Sequence, residues 1–293
     1  MIEVKDLTMT YKNGKGIFDL SFSVKKGEVF GYLGPNGSGK TTTIRQLLGF
    51  TNADKGSCTI NGFDCRTQTK EIQKILGYLP GEIAFFSDMT GKQFLNFMND
   101  MRRCKDKTRT NNLIERFELE TGGRIRKMSK GMKQKLGLIT AFMHDPEVYI
   151  LDEPTAGLDP LMQRYFVDLA LEEKARGKTI LMSSHSFGEI DRTCDRAGII
   201  REGRLVDVED MHSLKASQRK AFLVTVASEE DVKLLQSSGL ELGSINGSHV
   251  EIFVSSNYDR FLQALAKCKV LEMDIPSQSL EQVFMKYYGR GGQ

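Results

Sequence analysis

The chain of 293 residues carries 41 Lys and Arg against 38 Asp and Glu, a formal net charge of +3. That length allows one large domain or two smaller ones with a real core, and the near balance of charge gives no reason to expect a polyanionic partner. The five cysteines (Cys58, Cys65, Cys104, Cys194, Cys268) show no C-x-x-C spacing and no pairing with the four histidines, which fits a reduced, cytosolic setting.

Met1-Ile2-Glu3-Val4-Lys5-Asp6 holds no apolar stretch, so no signal peptide is expected. The longest apolar runs, such as residues 136–143, are far short of the roughly 18 residues that a membrane span needs. Work at a membrane would therefore require docking onto another chain. Tyr11 stands in a polar stretch, where its ring can either stack on a base or serve as an ordinary edge-strand tyrosine. Phe18, Leu20, Phe22 and Val24 then alternate at period two, and Lys25-Lys26-Gly27-Glu28 reads as a turn.

Val29-Phe30-Gly31-Tyr32-Leu33 reads as a buried strand running into Gly34-Pro35-Asn36-Gly37-Ser38-Gly39-Lys40-Thr41, which fits the phosphate-loop pattern G-x-x-x-x-G-K-[ST]. Glycines let such a loop turn tightly and aim backbone N–H groups into one concavity. Lys40 supplies a point charge for the β- and γ-phosphates, and the Thr41 hydroxyl suits Mg²⁺. Thr42 and the residues to Leu48 read as the helix whose N-terminus faces the phosphates. Binding of a nucleoside triphosphate is expected at Gly34, Asn36, Gly37, Ser38, Gly39, Lys40, Thr41 and Thr42.

Residues 91–145 read as a helical insertion, with Phe94, Phe97, Met98 and Met101, and then Leu113, Ile114 and Phe117, at helical spacing. The insertion holds 13 basic against 6 acidic residues, a net of +7. That charge fits either a solvated helix surface or proximity to anionic lipid or an acidic partner loop. Val148-Tyr149-Ile150-Leu151-Asp152-Glu153 is an apolar run ending in two carboxylates, which a parallel strand would place at its carboxyl edge. There one carboxylate can hold Mg²⁺ and the other can take a proton from water. A helix follows from Pro160, with Leu161, Tyr165, Phe166 and Leu169 on one face. The strand Thr179-Ile180-Leu181-Met182-Ser183 ends at Ser184-His185, putting His185 on the same edge. A boundary is expected within residues 205–217, between domains at 1–210 and 218–293. Beyond it a β-α-β-β-α-β order predicts a ferredoxin-like α+β domain, closed by a helix carrying Leu280, Val283, Phe284 and Tyr287.

Taken together, residues 1–210 resemble the ATP-binding subunit of an ABC transporter. Met128-Ser129-Lys130-Gly131-Met132-Lys133-Gln134 stands where that family has its L-S-G-G-Q signature, Asp159 in Ala156-Gly157-Leu158-Asp159 matches the D-loop, and His185 matches the switch histidine. The resemblance implies an α/β phosphate-loop NTPase of ABC type, a mixed sheet core with a helical subdomain. It implies Tyr11 on the adenine, Glu153 as general base, and ATP with Mg²⁺ on Thr41 and Asp152. It also implies a second ATP-binding subunit whose Ser129 and Gly131 complete each site, and an integral-membrane permease on whose cytoplasmic face the chain sits. Ser129 is a good N-cap ahead of Met132, Leu136, Ile139 and Phe142, and a helix start of this kind binds phosphate.

Two departures stand out. Lys130 and Met132 replace a glycine and the glutamine of the signature. Where the family places a Mg²⁺-contacting glutamine after the proline of Leu79-Pro80, this chain has Gly81; Glu82 is either its substitute one residue on or a turn glutamate. The tail over residues 276–284 is similar to the end of bacterial export-type subunits of antibiotic and bacteriocin efflux systems. The alternative is a soluble, non-transport ATPase of the same family acting on nucleic acid or ribosomes. A single cassette, no heptad run and near-neutral charge favour transport, with no nucleic acid expected.

Overall fold

Alternating strands open the chain: β1 (Ile2–Thr10) and β2 (Gly16–Val24) pair antiparallel, followed by the wholly buried β3 (Val29–Leu33), α1 (Lys40–Leu47), β4 (Lys55–Ile60) and β5 (Phe63–Asp64). The computed structural model describes residues 1–104, 106–217, 220–254 and 258–275, in two units, Met1–Met211 and His212–Gln293. Lys105 and the expected closing helix and tail beyond residue 275 lie outside the described residues. The first sheet has the order β2-β1-β4-β5. Leu20, Phe22 and Val24 point inward as their alternation requires, but Phe18 does not; Ile17 is buried in its place. The cause is a bulge at Asp19, whose φ of 56° adds a residue to β2 between the Leu7–Leu20 and Met9–Ile17 pairs.

A second sheet carries the site. Its remaining elements are α2 (Thr69–Ile75), β6 (Leu76–Leu79), α3 (Gly91–Met101), α4 (Thr108–Arg116), a 3₁₀ turn over Ile125–Lys127, α5 (Lys130–Phe142) and β7 (Val148–Asp152). Then come α6 (Pro160–Ala175), β8 (Thr179–Ser184), α7 (Phe187–Thr193), β9 (Arg196–Arg201) and β10 (Arg204–Asp210). The order is β10-β9-β3-β8-β7-β6, parallel except for β10. Fully buried parallel strands read as unbroken apolar runs, as β3 and β7 do. Ile44, Leu47 and Leu48 at the end of α1 join one core with residues of both sheets.

Glu202 and Gly203, with φ of 51° and 76°, make the two-residue turn that folds β10 back onto β9. Two expectations about helix faces are corrected here. On α3 the buried face is Phe94, Leu95 and Asn99, and Phe97 and Met101 face solvent. On α6 it is Met162, Phe166, Leu169 and Ala170, and Leu161 faces solvent. The starts of these helices follow from their caps, a Thr90–Gln93 capping box for α3 and Asp159 followed by Pro160 for α6. Arg109 of α4 donates to Phe142 O at 2.7 Å and to Glu173 Oε1 of α6 at 2.8 Å, tying the helical insertion to the sheet layer.

His144, just past α5, has its Nε2 3.0 Å from Leu76 O. A carbonyl only accepts, so Nε2 carries the proton. Burial first, and the Arg102 guanidinium second, push this imidazole down to about 4. The folded chain thus keeps His144 neutral where the unfolded chain, with its higher ordinary value, takes up a proton. Stability is fully present above about pH 6.5 and is lost as pH falls from there toward 4. Thermal melts should show a larger drop between pH 7.5 and pH 5 for the wild type than for His144→Gln; an equal drop would exclude His144 as the cause.

After α8 (Met211–Ser217), the second unit runs β11 (Lys220–Val226), α9 (Glu229–Ser237), β12 (Glu241–Asn246), β13 (His249–Val254), α10 (Tyr258–Leu265) and β14 (Val270–Asp274). Its antiparallel order β12-β13-β11-β14, with Phe222, Val224, Val250 and Ile252 packed on Leu235 and Phe261, is the ferredoxin-like arrangement.

Candidate functional site

Because β3, β8, β7 and β6 are parallel, their carboxyl ends share one edge. The register pairs Leu33 with Ser184 and Asp152 with Ser183. The phosphate loop, the Asp152-Glu153 pair, His185 and the Pro80-Gly81-Glu82 turn therefore emerge side by side, as ligand sites do in open α/β sheets.

The loop has a phosphate cradle's construction. Gly37 and Gly39 adopt φ of 80° and 112°, the second at the N-cap of α1. Ser38 Oγ is buried without a hydrogen-bond partner, a donor left free for an anion. Lys40 folds back over the loop, its Nζ donating to Gly34 O at 2.6 Å and Pro35 O at 3.1 Å. Burial holds the Lys40 ammonium below its ordinary value, against the opposing pull of Glu153 and Asp152. A phosphate here would add counter-charge closer to this buried ammonium than Glu153, 3.9 Å away.

Asp152 is buried and accepts from Thr41 Oγ1 at 2.9 Å and from Ser183 Oγ. Thr41 Oγ1 and the Asp152 carboxylate form a pair of hard oxygens suited to Mg²⁺. Among the described residues no cluster of three or more His, Cys, Asp or Glu could cage a metal. Two protein oxygens fit an ion held jointly with phosphates and water. Glu153 Oε1 lies 3.9 Å from Lys40 Nζ and 3.5 Å from His185 Nδ1. His185 is 58% exposed on its side-chain surface and lines a cleft of about 350 Å³ together with Glu153, Lys130 and Gly157.

Two clefts meet at Thr41 and Glu153. One, of about 340 Å³, is lined by Tyr11, Asn36, Gly37, Lys40 and Thr42, and Tyr11 Oη is 3.4 Å from Thr42 Oγ1. The other, of about 440 Å³, brings Glu82 alongside Thr41 and Asp152. A Cβ at position 81 would stand 3.0 Å from Asp152 Oδ2, a tight contact to which the carboxylate would have to give slightly. A side chain at position 81 crowds the carboxylate, and the turn presents Glu82 to the cleft instead.

Ser129 and Gly131 line neither cleft. Ser129 caps α5 by accepting from Met132 N at 3.2 Å, and Lys130 lays its stem against Gly157. Three polar residues escaped the sequence reading. Ser183 links Asp152 to the Glu153 N–H, and Gln134 donates to the carbonyls of Glu153 and Pro154. Glu189, held above its ordinary value by burial, meets Ser184 Oγ at 2.7 Å beneath the His185 turn. Only Ser183 had a usable signal, its place at the end of a strand next to the acidic one.

A family model described as ABC transporter matches residues 17–156. The bacitracin transport ATP-binding protein BcrA of Bacillus licheniformis is 33% identical over 99% of this chain and 98% of its own length. The linearmycin resistance ATP-binding protein LnrL of Bacillus subtilis (strain 168) is 30% identical over 99% of each chain. A solved structure of the ATP binding subunit of an ABC transporter matches with a TM-score of 0.67 at 30% identity, over 73% of this chain and 92% of that one.

Proposed function

This chain belongs to the ABC transporter family, and from that premise we propose that it powers export of a substrate through a separate membrane-spanning permease. It is an ATP-binding subunit and an ATPase. The observation that carries the proposal is the meeting of Thr41 with Asp152 at 2.9 Å and of Lys40 with Glu153 at 3.9 Å, a phosphate grip joined to a carboxylate. We assign residues 1–210 to the catalytic domain, with 91–145 as its helical subdomain, and 218–293 to an accessory domain.

In this reading ATP lies with its phosphates on the loop from Gly34 to Thr41 and its adenine on Tyr11, with Thr42 beside the phosphates. Lys40 exchanges the carbonyls of Gly34 and Pro35 for the β- and γ-phosphates. Thr41 and Asp152, with Glu82 on the adjoining turn, would hold Mg²⁺, which offsets the phosphate charge. Glu153 takes a proton from water as the water oxygen bonds to the γ-phosphorus. The bond from that phosphorus to the bridging oxygen breaks, leaving ADP and phosphate. His185, 3.5 Å from the Glu153 carboxylate, contacts the same phosphate. Ser129 and Gly131, away from these clefts in their own chain, serve the nucleotide of a second copy. Two chains close on two ATP molecules and reopen after hydrolysis.

Among the described residues no helix is long and apolar enough to cross a membrane, so transport needs a partner, and we place the chain on the cytoplasmic face. Phe86, Phe97 and Met101, exposed by 56%, 37% and 64%, offer the permease a docking patch, with Phe86 edge-on to Phe97 at 5.7 Å between ring centroids. Arg102 contributes less than its charge promises, since it donates to Gln73 O and is half-buried. The relatives that handle bacitracin and linearmycin support an antibiotic as cargo. In cells of the native host, tagged wild type should sediment with membranes, and Phe86→Asp with Phe97→Asp should shift it to the soluble fraction with ATP affinity unchanged. Undiminished membrane retention would discard this patch as the docking surface.

A further inference from the structure

Glu153 holds a backbone conformation that residues with a side chain seldom adopt, with φ of 51°. Such a conformation persists only where neighbours impose it. On the amide side, Glu153 N donates to Ser183 O at 3.3 Å and to Ser183 Oγ at 3.1 Å. On the carbonyl side, Gln134 Nε2 donates to Glu153 O at 3.1 Å and to Pro154 O at 2.9 Å. The peptide bearing the carboxylate is thus held from both flanks, once by the sheet and once by a helix.

Gln134 is 4% exposed, and its amide donors go to two successive carbonyls of the turn. It lines neither of the clefts that meet at Thr41 and Glu153. Its helix, α5, begins at Ser129, about 7.5 Å away along the axis at 1.5 Å per residue. A rigid segment little longer than one turn therefore joins the Ser129 cap to the clamp on Glu153.

We propose that Gln134 is a positioning residue for Glu153, fixing the left-handed turn that aims the carboxylate across the phosphate loop. Through α5 it links the base of one chain to the nucleotide that the same chain's Ser129 grips in its partner. Capture of ATP in one site is thereby transmitted to the base of the other. The inference rests on the proposed roles of Glu153 and Ser129.

The test compares full-length wild type, Gln134→Met, Gln134→His and Glu153→Gln for kcat, KM and ATP affinity. Methionine keeps the volume of glutamine and removes both donors, whereas histidine retains a ring N–H. Gln134→Met should lower kcat by about tenfold or more with KM and ATP affinity within about twofold, and Gln134→His should recover part of kcat. General damage to the fold would lower ATP affinity along with kcat, and that result overturns the proposal. So does a folded Gln134→Met with kcat within about twofold of wild type. If Gln134→Met does not fold, Gln134→Leu, which also has no side-chain donor, is read by the same criteria. An active Glu153→Gln removes the base assignment itself. An inactive Glu153→Gln beside an unimpaired Gln134→Met removes only the positioning role.

Discussion

Glu153→Gln should abolish ATP turnover, by about 10²- to 10⁴-fold, and leave a dimer that persists while ATP is present. Glutamine matches glutamate in shape but cannot accept the proton of the attacking water. The Glu153 side chain is partly exposed, and its own contacts are the loose approaches to Lys40 and His185. The substitution therefore leaves the fold intact. Removing the negative charge also lessens repulsion with the γ-phosphate, so ATP should bind at least as tightly as in wild type. Turnover measured beside size-exclusion chromatography in ATP and in ADP separates the outcomes. A dead enzyme that is dimeric in ATP and monomeric in ADP fits Glu153 as base and a site shared by two chains. Surviving turnover would move the proton acceptance elsewhere, to Glu82 in the cleft beside Asp152 or to His185 next to Glu153.

The phosphate-binding edge was legible because its signals are local and strong. A buried parallel strand must be apolar throughout, so Val29–Leu33 and Val148–Asp152 declare themselves, and the residues just past the end of each strand must lie at the ligand edge. Helix faces were less legible. Phe97, Met101 and Leu161 keep helical spacing yet point to solvent, since periodicity reports apolar residues and not what covers them. The Asp19 bulge and the Glu202-Gly203 turn escaped for a different reason. Each depends on one non-glycine residue at positive φ, a conformation with little signature in side-chain type. Least legible was Gln134, whose meaning comes from two carbonyls some twenty positions away that only tertiary packing brings within reach.

Lys40→Ala and Ser129→Arg, each expected to be inactive alone, should regain activity when the two are mixed. Lys40 belongs to the clefts, where it reaches toward Glu153, and Ser129 lines neither of them. If each site took both groups from one chain, mixing two damaged chains could repair nothing. If the sites are shared across a two-fold axis, a mixed dimer holds one doubly damaged site and one intact site. Random pairing makes half the dimers mixed, so recovery should reach about a quarter of the wild-type rate when the sites act independently. Recovery below that, yet above the sum of the separate chains, would report that an intact site turns over more slowly beside a dead one, the direction in which the α5 link acts. Ser129→Arg removes a helix cap worth about 1 kcal/mol, so its melting temperature should be measured first. A mixture no more active than the sum of its parts, or a Ser129→Arg chain as active as wild type, would confine each site to a single chain.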